Sequence, residues 1–259
     1  MRRTPVVVAL AACALVAWGC GDDDEGEADA SAGETTLVVS AAASMTEALE
    51  SCADTFGEEE DARVRLSFAG SDELAAQIRQ GAEVDVFVAA NTSLPQQLRA
   101  EGLLAKTAEF ATNELVIAVP SGSEIDSLDD LAEDGVTVVM GSESVPVGAY
   151  TREALAGLPP AREKAILANV RSNEPDVNGI VGKLVQGAAD AGFVYATDVT
   201  ATDGALGTVA LPPELEPEVA YGAGVVSEAR EPELARKFLR GLLRGACADA
   251  LREAGFGPP

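Results

Sequence analysis

Apolar runs of strand length alternate with amphipathic segments of helical period from residue 35 to the end of the chain. The first three runs are residues 35–40, 62–70 and 84–90, and a helical pattern follows each of them. Successive strand–helix pairs of this kind form parallel sheets covered by helices. The pattern therefore predicts a doubly wound α/β fold, and its length favours two lobes over one small sheet.

The first twenty residues, 1–20, have the pattern of a secretory signal peptide. Two arginines precede an apolar stretch from Pro5 to Trp18, which is shorter than the roughly 18 or more apolar residues that a membrane span needs. Gly19 and Cys20 follow the pattern of a bacterial lipoprotein, in which Cys20 carries the lipid. We predict an exported protein, either held by this lipid on the outer side of the cytoplasmic membrane or periplasmic. A single anchor helix is the alternative.

The segment 21–34 has a different composition. It contains a dense acidic run and no large apolar side chain, and a segment of this kind cannot bury enough apolar surface to fold. We therefore predict a disordered acidic tether between the signal peptide and the folded part.

Four cysteines are present, and two of them, Cys13 and Cys20, lie in the signal peptide. Cys52 and Cys247 remain in the exported chain. An even pair of cysteines outside the cytosol favours a disulfide. Two buried thiols stay open as the alternative.

Composition excludes several classes of function. The formal net charge is −25, from 18 basic and 43 acidic residues, which disfavours nucleic acid because phosphate contacts need Lys and Arg. The absence of histidine removes imidazole metal sites and the Ser–His and Cys–His pairs of nucleophilic catalysis. The sequence also lacks a Walker motif, a GxGxxG loop, a GxSxG elbow and a CxxC pair.

Four expected helix starts carry small or polar residues. Ser44 lies three residues before Glu47 and gives the S-x-x-E pattern of a capping box. The other three starts are at Gly70-Ser71, at Val147 after Pro146, and at Asp176-Val177. A helix N-terminus attracts anions, because its first N–H groups and the helix dipole both point outward. Four such starts on one side of an α/β sheet predict an anion site.

Five segments are similar, in the same order, to motifs of a known family. They are AAASMTEAL (41–49), FAGSDELAAQIRQGAEVDVFVAAN (68–91), VPVGAYTREAL (145–155), GFVYATDV (192–199) and EAGF (253–256). These segments resemble the periplasmic molybdate-binding proteins of ABC importers. Val147 stands where that family usually has alanine, and Gly70 stands where serine is common.

The resemblance implies a two-lobed type II periplasmic binding protein, in which each lobe has a doubly wound, mainly parallel sheet. Lobe 1 would hold residues 35–112 and 223–259, and lobe 2 would hold residues 113–222. The segments 110–119 and 220–226 would join the lobes as hinge strands. Such a protein is not an enzyme and needs no cofactor. Its partners are an oxyanion and an ABC permease, and we expect a monomer.

The resemblance also implies which groups bind the oxyanion. The matching positions are Ser44 and Ser71 (hydroxyl and amide), Val147 and Val177 (amide) and Tyr195 (hydroxyl). All of these groups donate hydrogen bonds and none is charged, which suits a tetrahedral dianion such as molybdate or tungstate. None titrates between about pH 6 and 8.5, so affinity should be flat there. A half-buried core tyrosine is the alternative for Tyr195.

Three other ligands or functions are considered beside molybdate. Sulfate has the same charge and shape in a smaller size. Phosphate keeps a proton near neutral pH and needs a carboxylate acceptor. Asp72 and Asp176 neighbour the site, although acids in the first turn of a helix have a simpler stabilising role. The distant alternative is an exported serine hydrolase with Ser44 or Ser71 as nucleophile, for which the sequence offers no histidine and no S-x-x-K base.

Overall fold

The structure, a computed structural model, describes residues 35–259, except for the side chain of Ala246. The predicted signal peptide, the acidic tether and the lipid attachment at Cys20 lie outside the described residues. Within the described part, no helix is both long enough and apolar enough to cross a membrane.

Strands and helices alternate through the described residues, as the sequence pattern predicts. The strands are β1 (Thr36–Ala42), β2 (Arg63–Ala69), β3 (Val86–Ala89), β4 (Leu104–Asn113), β5 (Leu115–Pro120), β6 (Val138–Gly141), β7 (Val170–Glu174), β8 (Ala191–Tyr195), β9 (Leu206–Ala210) and β10 (Val219–Val226). The α-helices are α1 (Thr46–Glu60), α2 (Ser71–Arg79), α3 (Ser93–Ala100), α4 (Pro146–Ala156), α5 (Pro160–Asn169), α6 (Val177–Val185), α7 (Ala196–Thr200), α8 (Pro232–Leu243) and α9 (Ala246–Glu253). Short 3-10 helices lie at Ala43–Met45, Leu128–Ala132 and Pro213–Leu215.

The described strands form two five-stranded sheets. The strand order is β2-β1-β3-β10-β4 in the first sheet and β7-β6-β8-β5-β9 in the second. In each sheet four strands share one direction, and the remaining strand, β10 or β5, is antiparallel to both of its neighbours. The predicted α/β fold with two mainly parallel sheets is confirmed.

The chain passes between the two sheets twice. The outward passage is short, because β4 ends at Asn113 and β5 begins at Leu115. The return passage lies between β9 and β10, in residues 211–218. The predicted boundary at residue 223 therefore falls inside β10, which pairs with β3 and β4 and belongs to the first sheet from Val219 onward. The division into two separate lobes stays a prediction.

β10 shows why a continuous apolar run becomes a central strand. All eight residues of its sequence, VAYGAGVV, are buried. The strand lies between β3 and β4, and a strand that is covered on both faces needs apolar or small side chains at every position.

A disulfide joins α1 and α9, the first and last α-helices of the described residues. Cys52 in α1 is bonded to Cys247 in α9, with their Cα atoms 4.5 Å apart. Both cysteines are buried. Beside them, the rings of Phe56 in α1 and Phe238 in α8 pack edge to face with centroids 5.1 Å apart. Of the two alternatives that the sequence leaves open, the structure therefore has the disulfide.

Candidate functional site

One small pocket brings together all five residues that the resemblance selects. It is lined by Ala42, Ala43, Ser44, Ala69, Gly70, Ser71, Ala90, Val145, Pro146, Val147, Asp176, Val177 and Tyr195. These residues lie at or just after the carboxyl ends of β1, β2, β3, β6, β7 and β8, so both sheets contribute. Open α/β sheets bind ligands at this end of their strands. The centre of a water-sized sphere can occupy a volume of about 20 Å³ in this cavity. A cavity of this size suits only a small ligand.

Three of the predicted helix starts face this pocket. α2 begins with Ser71 directly after Gly70, and α4 begins with Pro146, which places Val147 at its second position. α6 begins at Val177, and the Asp176 carboxylate before it accepts a hydrogen bond of 2.9 Å from the Gly179 amide. The first N–H groups of each helix have no partner within the helix. They therefore supply donors to whatever occupies the pocket.

The predicted capping box of Ser44 and Glu47 is wrong. Ser44 lies in the 3-10 turn Ala43–Met45, α1 begins only at Thr46, and neither helix start has a side-chain cap. The Ser44 hydroxyl instead lies 3.0 Å from the phenolic oxygen of Tyr221. A hydroxyl near a helix start can thus be used for a long-range contact, which the S-x-x-E pattern cannot distinguish from a cap.

Ser71 is held as a hydrogen-bond donor. Its side chain is buried, and its Oγ accepts a 3.1 Å hydrogen bond from the backbone amide of Ala90. Because an amide N–H can only donate, the proton of the Ser71 hydroxyl is left for another acceptor. Since Ser71 lines the pocket, a ligand with acceptor oxygens can receive it.

The Tyr195 hydroxyl is an unsatisfied group in the wall of the pocket. The residue is 1% exposed, and within residues 35–259 its hydroxyl oxygen has no hydrogen-bond partner. A buried polar group without a partner costs roughly 1–3 kcal/mol. Burial also raises the pKa of the Tyr195 hydroxyl well above its usual value, so the group stays a neutral donor. The alternative of an ordinary core tyrosine does not account for this hydroxyl.

Neutral groups dominate the pocket. Among the described residues that line it there is no Lys or Arg, and the one carboxylate is Asp176, which caps α6. Asp72 has a buried carboxylate oxygen without a partner in the described part of the chain. Its side chain is not part of the pocket lining. The pocket therefore offers hydrogen-bond donors and little acceptor capacity.

Asp198 is a neighbour of the site that sequence reasoning did not assign. It is 7% exposed, and its Oδ2 accepts a 2.9 Å hydrogen bond from the Tyr195 amide. The pKa of the Asp198 carboxyl is raised to about 8, mainly by burial, with a smaller contribution from the charge of Glu47 and against the lowering effect of the Tyr195 amide. The segment GFVYATDV contains this residue, but only its tyrosine was assigned a role. Nothing in the sequence pattern shows that Asp198 is buried.

The two-sheet fold and the donor-lined pocket between strand ends define the class of a protein that binds a small solute. Nearly all of the described chain fits that class: the model of the family "Bacterial extracellular solute-binding protein" matches residues 37–257. The chain belongs to this family. It is a binding protein and not an enzyme.

Individual relatives agree with this assignment. The chain is 33% identical over 260 residues to the molybdate-binding protein ModA of Mycobacterium tuberculosis, covering 99% of this chain and 97% of the relative. A solved substrate-binding domain of a putative molybdenum ABC transporter from Clostridium difficile is 26% identical, with a TM-score of 0.66 over 87% of this chain and 100% of that chain. The periplasmic molybdate-binding protein of Azotobacter vinelandii has a TM-score of 0.76 at 20% identity, over 86% and 99% of the two chains, and shares the fold.

Proposed function

We propose that this protein captures molybdate, and also tungstate, outside the cytoplasm and delivers it to the permease of an ABC transporter. The observation that carries the proposal is the pocket of about 20 Å³ whose wall combines Ser44, Ser71, Tyr195 and the starts of α4 and α6. Two of the relatives are named molybdate-binding proteins, and the third is named as the substrate-binding domain of a putative molybdenum ABC transporter; these names support the same ligand.

The donor set fits a tetrahedral dianion. The hydroxyls of Ser44, Ser71 and Tyr195 and the amides of Val147 and Val177 would bind its oxygens. Charge-assisted hydrogen bonds of this kind are roughly twice as strong as neutral ones. Neutral donors at short range also explain how an anion can bind to a chain with a formal net charge of −25, because distant surface charges are screened by salt.

The alternatives to molybdate differ in how well this pocket suits them. Hydrogen phosphate carries a proton and needs an acceptor, and the one carboxylate that lines the pocket, Asp176, already accepts from the Gly179 amide with its Oδ1. Sulfate has no proton and differs from molybdate mainly in size, so it is the alternative that binding measurements must address. A serine hydrolase is not supported, because the hydrogen-bond partners of Ser44 and Ser71 are a tyrosine hydroxyl and a backbone amide, and neither is a base.

The cellular setting follows in part from the family. Its members are extracellular, and an ABC permease with its ATPase is the partner we propose. We further propose a lipid on Cys20, a monomeric state, and two lobes that close on the ligand by a hinge. Mass spectrometry of the membrane-associated protein tests the lipid, and light scattering tests the monomer.

Calorimetric titration of the exported chain tests the ligand. Molybdate, tungstate, sulfate and phosphate are compared at one pH and one ionic strength. Binding of molybdate and tungstate at least tenfold tighter than sulfate, about 1.4 kcal/mol, is the expected result. Tighter binding of sulfate or phosphate would refute molybdate as the ligand while leaving the oxyanion site in place.

A further inference from the structure

Behind the pocket, a row of polar side chains connects Ser44 to the passage between the two sheets. The Ser44 hydroxyl lies 3.0 Å from the hydroxyl of Tyr221 in β10. The Tyr221 hydroxyl lies 3.5 Å from Nδ2 of Asn113, the last residue of β4. Tyr221 itself is fully buried and is not part of the pocket lining. Nothing in the proposed ligand set uses Tyr221 or Asn113.

The direction of these hydrogen bonds is fixed at the Asn113 end. The Asn113 Oδ1 accepts a 2.9 Å hydrogen bond from the backbone amide of Glu114. Because an amide N–H can only donate, the oxygen of the Asn113 side chain must face Glu114, and its NH₂ group must face the other way. That NH₂ group donates to Thr197 Oγ1 at 2.9 Å and to the Tyr221 hydroxyl.

The orientation of Asn113 also fixes the direction of the hydrogen bond between Tyr221 and Ser44. The Tyr221 oxygen accepts from Asn113, so the single Tyr221 proton is free to point at Ser44 Oγ. Ser44 Oγ in turn accepts from Tyr221, so its own proton is free to point into the pocket, which Ser44 lines. The opposite arrangement would leave the Tyr221 proton buried without an acceptor among these three side chains, which is costly.

We propose that Asn113 and Tyr221 are positioning residues that hold Ser44 as an obligate hydrogen-bond donor and thereby select proton-free oxyanions. This inference rests on the proposed oxyanion-binding function. It adds to that function a reason for the choice of ligand. The second serine of the pocket, Ser71, is oriented as a donor independently, by the Ala90 amide. With both serines oriented in this way, each serine proton has no acceptor other than the ligand. A ligand oxygen that carries its own proton, as in hydrogen phosphate, would leave the facing serine proton unpaired and is disfavoured.

Tyr221→Phe removes the relevant hydroxyl and keeps the ring. The Tyr221 ring packs edge to face against Tyr195, Phe110 and Phe256, with centroids 5.3 to 6.3 Å apart, and phenylalanine can keep these contacts. A cycle of Tyr221→Phe, Ser44→Ala and the double variant then separates the two residues. It is run with whichever of molybdate, tungstate and sulfate binds the wild-type protein most tightly.

The cycle should be strongly non-additive. Tyr221→Phe should weaken binding about threefold to tenfold when Ser44 is present and less than about twofold in the Ser44→Ala background. Tyr150→Phe is the matched control. It removes a tyrosine hydroxyl that contacts the backbone of Ala220 rather than Ser44, and its effect should be the same in both backgrounds. Equal effects of Tyr221→Phe in both backgrounds would overturn the proposal.

The second measurement compares the affinity of Tyr221→Phe for phosphate, which carries a proton, with its affinity for a proton-free oxyanion. In Tyr221→Phe, the Tyr221 proton no longer orients the Ser44 hydroxyl, which can then turn to accept a hydrogen bond from a proton on the ligand. Phosphate affinity, measured by displacement, should therefore stay level or rise while affinity for the proton-free oxyanion falls. A packing defect would weaken both ligands alike and would refute the inference. If sulfate binds best, the proposed molybdate function fails and the inference is still tested. If none of the three oxyanions binds, both proposals fail.

Discussion

Gly70 and the carbonyl oxygen of Pro175 are in direct contact across the pocket, and the contact leaves no room for a side chain on Gly70. A Cβ at position 70 would overlap the Pro175 oxygen and would lie 2.9 Å from Asp72 Oδ1 and 3.2 Å from Val145 Cγ1. Gly70 follows β2 of the first sheet, and Pro175 follows β7 of the second. This glycine therefore sets how closely the helix starts of the two sheets approach each other.

Gly70→Ala should weaken molybdate binding by at least tenfold, about 1.4 kcal/mol. The added methyl group must push Pro175 away, which moves the α6 amides away from the α2 start. The measurement is calorimetric titration. Gly182→Ala is the control, because a Cβ there meets only the flexible end of Gln186 at 3.9 Å. It should leave affinity unchanged, and equal affinities for both variants would contradict the role of the Gly70 contact.

Ser71→Ala and Ser44→Ala should each weaken oxyanion binding by about 1.5–3 kcal/mol, the range for a hydrogen bond to a charged group. Val147→Ala should change affinity little, because only the Val147 amide is proposed to contact the ligand. Its cost should appear in stability instead, since Val147 is buried. Titrations and thermal unfolding of all three variants separate the two effects. Wild-type affinity in both serine variants would mean that the site is assigned incorrectly.

Asp198 should make folding stability depend on pH. Its pKa is about 8 in the folded chain against an ordinary value of 3.8. Between about pH 4 and 8 the folded state holds a proton that the unfolded state has released, so the Asp198 contribution to the free energy of unfolding falls as pH rises. Asp198→Asn removes this contribution, and the Asn oxygen can still accept from the Tyr195 amide.

Denaturant unfolding at pH 5, 6.5 and 8 provides the measurement for Asp198→Asn. The variant should gain stability relative to wild type, and the gain should grow with pH across that series. Asp203→Asn, an exposed aspartate in a left-handed conformation that Asn tolerates, is the control for the change of charge. A constant difference between wild type and Asp198→Asn at all three pH values would contradict the raised pKa.

The Asp198 carboxyl shortens the pH range over which the sequence predicts constant ligand affinity. The assigned donors predict flat affinity up to about pH 8.5, because none of them titrates below that value. Asp198 ionises at about pH 8, beside Tyr195, and its negative charge then opposes an anion. Molybdate affinity should therefore begin to fall near pH 8 in the wild type and stay flat in Asp198→Asn. Titrations at pH 6, 7, 8 and 9 at fixed ionic strength measure this.

The disulfide should contribute substantially to stability. The bond joins residues 195 positions apart, and for a loop this long the chain-entropy model gives about 5 kcal/mol. Thiol labelling of denatured, unreduced protein should find neither Cys52 nor Cys247 free. The double variant Cys52→Ser with Cys247→Ser should unfold at lower denaturant concentration, with binding retained. A labelled cysteine in the unreduced protein would contradict the bond.

The sequence predicts the central strands and the edge strand β2, but it misses most of β4 and all of β7. β1, β3 and β10 are apolar runs, and the sequence predicts each of them. Most of β4 and all of β7 were not predicted. Only a minority of the residues in each of these two strands is buried, and each strand lies at the edge of its sheet. A strand with one solvent-exposed face and one unpaired edge needs few apolar residues, so its composition resembles that of a loop.

For the site, the motifs predict which residues meet but not how each one is held. Ser44 shows the limit most clearly, because its hydroxyl partner Tyr221 is 177 positions away in the chain. Asp198 shows a second limit, since a shifted pKa depends on burial, and burial of one carboxyl is set by packing from several elements. Local sequence patterns can therefore indicate which residues line the site. Polar contacts between residues far apart in the chain can be identified only once the fold is known.

The bond between Cys52 and Cys247 turns most of the folded chain into a covalent ring. The whole second sheet, from β5 to β9, lies inside that ring. A protease that cuts one of its exposed turns, such as residues 121–124, would therefore open the ring without releasing a fragment. For a protein that works outside the cell, a single nick leaves both pieces tethered, and the damage becomes visible on a gel only after reduction.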